Sequence, residues 1–138
     1  MRFTQCYAGS TVCAPSRAAL MTGRHTGHVS IRGNADVPLA AHETTVAEVL
    51  KRRGYFTGCF GKWGLGLETT TATPIHRGFD EWFGYLDQTH AHDYYPTQLW
   101  RSSTIAGVTN LAKILEANLN GAKGTYSHDL FTQAAQNL

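Results

Sequence analysis

The 138-residue chain lacks any apolar run approaching the ~18 residues that a membrane-crossing helix requires. Its opening residues, MRFTQCYAG, lack the apolar core of a signal peptide. Charge of one sign is scarce as well. Twelve Lys and Arg against ten Asp and Glu leave a net charge of +2, too little to argue for a nucleic acid or an anionic membrane surface. Cysteine is limited to positions 6, 13 and 59, an odd number that cannot fully pair and that shows no C-x-x-C zinc spacing. Repeats and low-complexity segments are absent. What remains is an ordinary globular composition, 42% hydrophobic, in a chain long enough to bury a core.

Local signals then divide the chain. After Cys13, Pro15 suits a first helical turn, Ser16 to Met21 favour helix, and Gly23 stops it. Thr45 and Glu48 have capping-box spacing, and Val46, Val49 and Leu50 form an apolar stripe. The basic trio Lys51, Arg52 and Arg53 complements the helix dipole before Gly54. Tyr55 to Phe60 reads as a short buried strand, ended by the glycines of GKWGLG. A helix running straight into a strand is half of a parallel-sheet unit. The stretch from Gly66 to Arg101 reads as loop-rich and aromatic, and residues 102–124 carry little signal. A last helix is expected from Ser127 as its cap to the final residue, with Leu130, Phe131, Ala134, Ala135 and Leu138 on one face. MRFTQCYAG reads as a strand entering a loop, and both ends of the chain read as cut, which makes residues 1–138 an expected portion of one larger domain.

The chemistry concentrates in C-A-P-S-R-A-A-L-M-T-G-R, residues 13–24. A cysteine just before a helix N-terminus meets free N–H groups and the positive end of the macrodipole, which lower a thiol pKa and favour an anion. Arg17, one turn along, offers a planar fork to an oxyanion on the same face. The residues alone leave this reading and a small buried structural cysteine both open.

This segment resembles the signature of the formylglycine-dependent sulfatases, members of the alkaline phosphatase superfamily. In that signature Cys-x-Pro-Ser-Arg is also the recognition sequence of the maturation enzyme, which oxidises the cysteine to formylglycine. The resemblance implies a hydrated aldehyde. One hydroxyl attacks sulfur and displaces the alcohol; the other then gives up its proton as sulfate leaves and the aldehyde re-forms. By the same resemblance Cys13 is nucleophile precursor and calcium ligand, and Arg17 holds nucleophile and metal site in place. Gly61 to Gly66, GKWGLG, is similar to the family's G-K-W-H-L-G, which marks Lys62 as a sulfate ligand and puts Gly64 where the family has a histidine. Residues 76–85, HRGFDEWFGY, resemble a structural block of the family, a tight turn packing aromatics on the sheet. YSHDLFTQAA resembles a family helix.

His90-Ala91-His92 carries a further expectation. If extended, both histidines point the same way and line a substrate pocket, His92 foremost, one of them replacing the histidine missing at Gly64. The plainer reading, preferred here, is a hydrogen-bonded loop with packing histidines. His25 and His28 read as structural, and four histidines without supporting cysteine or carboxylate make a poor zinc site.

The resemblance implies an α/β fold, part of an alkaline-phosphatase-like sandwich with a mostly parallel central sheet flanked by helices. It implies an aryl sulfate or sulfated carbohydrate substrate, and a periplasmic or secreted protein whose signal lies outside these residues. The family's calcium carboxylates come from an Asp-Asp strand upstream and an Asp-Asn pair downstream, so the 138 residues alone are expected to be inactive. Two alternatives stand: a formylglycine enzyme acting on phosphonate or phosphate monoesters, and a truncated, non-catalytic remnant.

Overall fold

The computed structural model describes all residues from Met1 to Leu138. Three helices and four strands follow in the order α1 (Cys13–Thr22), α2 (Val46–Lys51), β1 (Gly58–Lys62), β2 (Glu81–Tyr85), β3 (Gln98–Ser103), β4 (Val108–Ile114) and α3 (Ser127–Gln136). The strands form one sheet in sequence order. β1 lies parallel to β2, with Cys59 opposite Trp82 and Lys62 opposite Tyr85. The β2–β3 and β3–β4 pairings are antiparallel, the latter with an irregularity between Arg101 and Ser103.

Side-chain alternation on β2 assigns the two faces of the sheet. Trp82 joins the larger core with Ala14 and Ala18 of α1, Ala47 of α2, Trp63 and Leu65. Phe83 and Tyr85 join the smaller core with Leu99, Leu115 and Phe131 of α3. Helices therefore cover both faces, α1 and α2 on one and α3 on the other. The close parallel pairing needs Gly84, where a Cβ would sit 1.7 Å from the Gly61 carbonyl oxygen.

Local sequence signals explain the helix ends. Gly23 closes α1 in the left-handed region, φ 65°, and its N–H donates to the Ala19 carbonyl. Thr45 and Glu48 form the reciprocal capping box of α2, a device whose loss costs about 1 kcal/mol. Thr45 Oγ1 also donates to the Arg77 carbonyl in a buried contact.

Several expectations change. The α2 stripe is not the buried face: Val46, Val49 and Leu50 stay exposed while Ala47 is buried, because the cap turns toward Arg77. The first strand is Gly58–Lys62 rather than Tyr55–Phe60. Tyr55 closes the helix turn by donating its N–H to Leu50, and the Thr57 carbonyl accepts from Asp80 and Glu81, which starts the pairing later. The stretch expected to be loop holds β2 and β3, and Met1 to Val12 forms no strand, being mostly exposed with no sheet partner. Ser127 is the first residue of α3 rather than its cap: Tyr126 is the N-cap, and the Ser127 N–H donates to the Tyr94 carbonyl. On that helix Phe131 is buried and Leu130 and Ala134 partly so, while Ala135 and Leu138 are exposed.

The G-F-D turn is the structural clasp of the fold. Gly78 has φ 95°, and Phe79 packs edge-on against Trp63 with centroids 5.9 Å apart. Asp80 is buried; it meets Lys51 Nζ at 2.7 Å and accepts from the Thr57 N–H and hydroxyl and from the Thr104 hydroxyl. Burial alone would raise its pKa, but Lys51 and Thr57 hold it below the ordinary value. A carboxyl depressed in the folded state contributes stability above its unfolded pKa of about 3.9 and loses it as pH falls through the folded value. Asp80→Asn should therefore lower the thermal midpoint at pH 6, and its difference from the parent chain should shrink steadily as melting is repeated toward pH 3.

Candidate active site

Cys13 is the first residue of α1, half-buried, with an extended Val12 as N-cap whose side chain makes no capping bond. The capping role falls to Asn34, 21 residues away on an exposed loop. Its Oδ1 accepts from the Ala14 N–H at 2.9 Å, and its Nδ2 donates to Cys13 Sγ at 3.2 Å. Lys62, the last residue of β1, lies close enough for its ammonium to act on the same sulfur. Burial pushes the Cys13 thiol up, yet the Asn34 bond and the Lys62 charge outweigh it and hold the pKa below the ordinary value.

Arg17 lies one turn into α1 and is half-buried. Its Nε donates to the Trp63 carbonyl at 2.6 Å, tying the signature helix to the turn that follows Lys62. Burial lowers its pKa, and the nearby Cys59 and Cys13 thiols work in the opposite direction. Cys59 is the contrasting thiol: burial pushes it up to about 11 despite Arg17. Three residues marked in the sequence, Cys13, Arg17 and Lys62, thus meet at one place, where α1 begins and β1 ends. Ligands of open α/β sheets gather at such strand carboxyl ends.

The histidines behave differently. His90 to His92 form a 3-10 turn, so the extended arrangement expected from their spacing is not formed. Residues two apart in a 3-10 turn diverge by roughly 120°. The His90 ring packs edge-on against Tyr85, centroids 5.1 Å apart, with Nδ1 3.9 Å from Asp87; His92 is exposed. The contacts uniting Cys13, Arg17 and Lys62 involve neither of them. His25 and His28 are exposed neighbours on a turn, the His25 Nδ1 accepting the Gly27 N–H.

Gly64 adopts φ 70°, and a Cβ there would lie 1.9 Å from Nε2 of Gln88, which donates to the Gly64 carbonyl at 2.5 Å. The buried Gln88 amide fills the space that a side chain at this position would enter. Calcium takes six to eight oxygen ligands. Nowhere does the chain group three or more His, Cys, Asp or Glu side chains able to hold a metal, so its residues do not make a calcium site by themselves.

The structure thus brings a cysteine at a helix N-terminus, an arginine one turn further on and a strand-end lysine together at the edge of an α/β sheet. The sulfatase family profile matches residues 1–138, and the chain belongs to the sulfatase family. It is 42% identical to human arylsulfatase A over 104 residues, 71% of this chain and 20% of that protein. It is 38% identical to mouse arylsulfatase G over 138 residues, 87% of this chain and 26% of that protein. The crystal structure of Ps i-CgsB superposes with TM-score 0.66 at 27% identity, covering 95% of this chain and 31% of that one. The fold is accordingly the alkaline-phosphatase-like α/β fold of sulfatases, and the chain spans about a fifth to a quarter of the curated relatives' length.

Sequence reasoning missed Asn34. Its only local signal is an Asn after Arg32-Gly33 between two apolar residues, Ile31 and Val37, a pattern that marks a turn rather than a partner for Cys13.

The two thiols should separate in reactivity. With iodoacetamide at pH 7.5, mass spectrometry should find Cys13 alkylated well before Cys59, which should react only on unfolding. Lys62→Met should slow the reaction at Cys13 alone. Equal rates at Cys13 and Cys59 would contradict this electrostatic picture.

Proposed function

We propose that this chain carries the nucleophile segment of a sulfuric ester hydrolase of arylsulfatase type, and that Cys13 is oxidised to formylglycine by a maturation enzyme reading Cys13-Ala14-Pro15-Ser16-Arg17. The observation supporting it most directly is the convergence of Cys13, Arg17 and Lys62, drawn from two separate motifs, around a thiol held below its ordinary pKa. Formylglycine at position 13 would supply an aldehyde hydrate, a nucleophile able to take the sulfuryl group from the departing alcohol and to give it up again as sulfate.

In this reading the residues have distinct tasks. Lys62 binds a sulfate oxygen and offsets the charge that develops on transfer. Arg17 fixes the start of α1 against the Lys62 turn through the Trp63 carbonyl and turns the rest of its fork toward the anion. Calcium, with Cys13 as one ligand, belongs to the whole protein, whose remaining ligands come from other segments. The substrate is an aryl sulfate or a sulfated carbohydrate. The carbohydrate is supported by the similarity to Ps i-CgsB, also crystallised in complex with k-i-k-neocarrahexaose. The complete protein is exported to the periplasm or secreted; no helix of the structure is long and apolar enough to cross a membrane.

The test uses the complete gene product, co-expressed with a formylglycine-generating enzyme and supplied with calcium. It should hydrolyse 4-nitrophenyl sulfate faster than the matching phenylphosphonate ester, Cys13→Ala should abolish turnover, and the isolated 138 residues should show none. A preference for the phosphonate would replace sulfatase by phosphonate hydrolase. Inactivity of a fully converted parent protein on aryl and carbohydrate sulfates would leave only a remnant.

A further inference from the structure

Two N–H-bearing groups approach Cys13 Sγ, and only one of them, Lys62, belongs to a motif marked in the sequence. The other is Asn34. Its orientation is settled by chemistry: the Ala14 backbone N–H can only donate, so the atom facing it at 2.9 Å is the amide oxygen. The remaining atom, 3.2 Å from Sγ, is then the NH2 group, a donor. One side chain thus binds the helix N-terminus and the reactive atom together.

The turn after Lys62 offers no such donor. Gly64 stands where the resembling pattern has histidine, and it adopts a left-handed φ of 70°. A Cβ there meets the Gln88 amide at 1.9 Å, and Gln88 is fixed by donating to the Gly64 carbonyl. A neutral donor to residue 13 must therefore come from another element, and the loop carrying Asn34 is the one that reaches it.

We propose that Asn34 is a working residue of the site, donating a hydrogen bond to the nucleophile atom of residue 13 and fixing its direction from the helix terminus. This rests on the reading of the site as a formylglycine sulfatase, in which Sγ stands for the oxygen that replaces it after oxidation. A neutral N–H aimed at that oxygen stabilises negative charge there without adding a fixed charge that would hold product sulfate.

The experiment compares Asn34→Ala and Asn34→Asp in the complete, matured protein, with formylglycine content measured by mass spectrometry. Aspartate keeps an acceptor for the Ala14 N–H but cannot donate; alanine does neither. Both variants should lose about tenfold in kcat per formylglycine, with KM within about twofold. The thermal midpoint should fall for alanine and hold for aspartate. In the unoxidised chain at pH 7.5, Asn34→Asp should slow Cys13 alkylation by about tenfold relative to the parent, a readout independent of turnover.

Full kcat and unchanged alkylation in Asn34→Asp would reduce Asn34 to a helix cap and overturn the proposal. A matured parent protein that hydrolyses no sulfate ester would instead overturn the sulfatase reading, and this inference with it.

Discussion

The bond from Arg17 Nε to the Trp63 carbonyl, 2.6 Å long, joins pieces that the sequence holds 46 residues apart. The buried residues of α1 are the small Ala14, Pro15 and Ala18, with Met21 packed against the same core, and such small side chains bury little area. A charged hydrogen bond to a fixed backbone carbonyl sets the rotation and height of the helix in a way that alanine packing does not. The Trp63 end is itself pinned: its N–H donates to the Tyr85 carbonyl, its indole N–H to the Ala72 carbonyl, and its ring lies fully buried against Phe79. The guanidinium thus adds a directional tie between Cys13 and the Lys62 turn to the packing of α1 on the sheet.

That tie explains why the glycines matter where they do. Gly84 lets the Gly61 carbonyl approach, so β1 and β2 stay in register through Lys62 and Tyr85. Gly78 lets the turn before β2 sit on the backbone of Ala47 and Glu48. The capping box of α2, the G-F-D turn and the strand pair form a continuous set of backbone-directed contacts through Thr45, Arg77, Thr57 and Asp80. Asp80 then fastens α2 through Lys51 and the β3–β4 turn through Thr104. The conformation of the chemical residues is fixed by groups that do no chemistry.

What the sequence reveals of this follows the range of each interaction. The caps at Gly23 and Thr45–Glu48 are legible because donor and acceptor lie within one turn. Cys13, Arg17 and Lys62 are legible because each sits in a motif with its neighbours. The strands β2 and β3 are not. EWFGY and QLWRSS are short, and β2 is buried on both faces, so it reads as an aromatic run without alternation. The α2 stripe misleads because three valine and leucine side chains outweigh one alanine in any hydrophobic pattern, while the buried contact is made by Ala47 and the cap. Asn34 stays hidden for the same reason as the strand pairing: its partners are 20 and 21 residues away and meet only in the folded chain.

The two inner thiols show how far environment rather than identity decides function. Cys59 packs against the larger core beneath Arg17, and burial drives its pKa to about 11, so it stays a neutral thiol. Cys13 has the same side chain near the same guanidinium, but it opens a helix and meets Asn34 and Lys62, and its pKa falls. Arg17 lies between them with five N–H donors, one of which is used by the Trp63 carbonyl. None of the others is a buried orphan, so they remain within reach of solvent or of an anion. A half-buried guanidinium that keeps N–H donors free beside a thiol of lowered pKa offers those donors to an anion as readily as to water. In the proposed sulfatase reading, an oxyanion between Arg17, Lys62 and residue 13 is the acceptor for these donors.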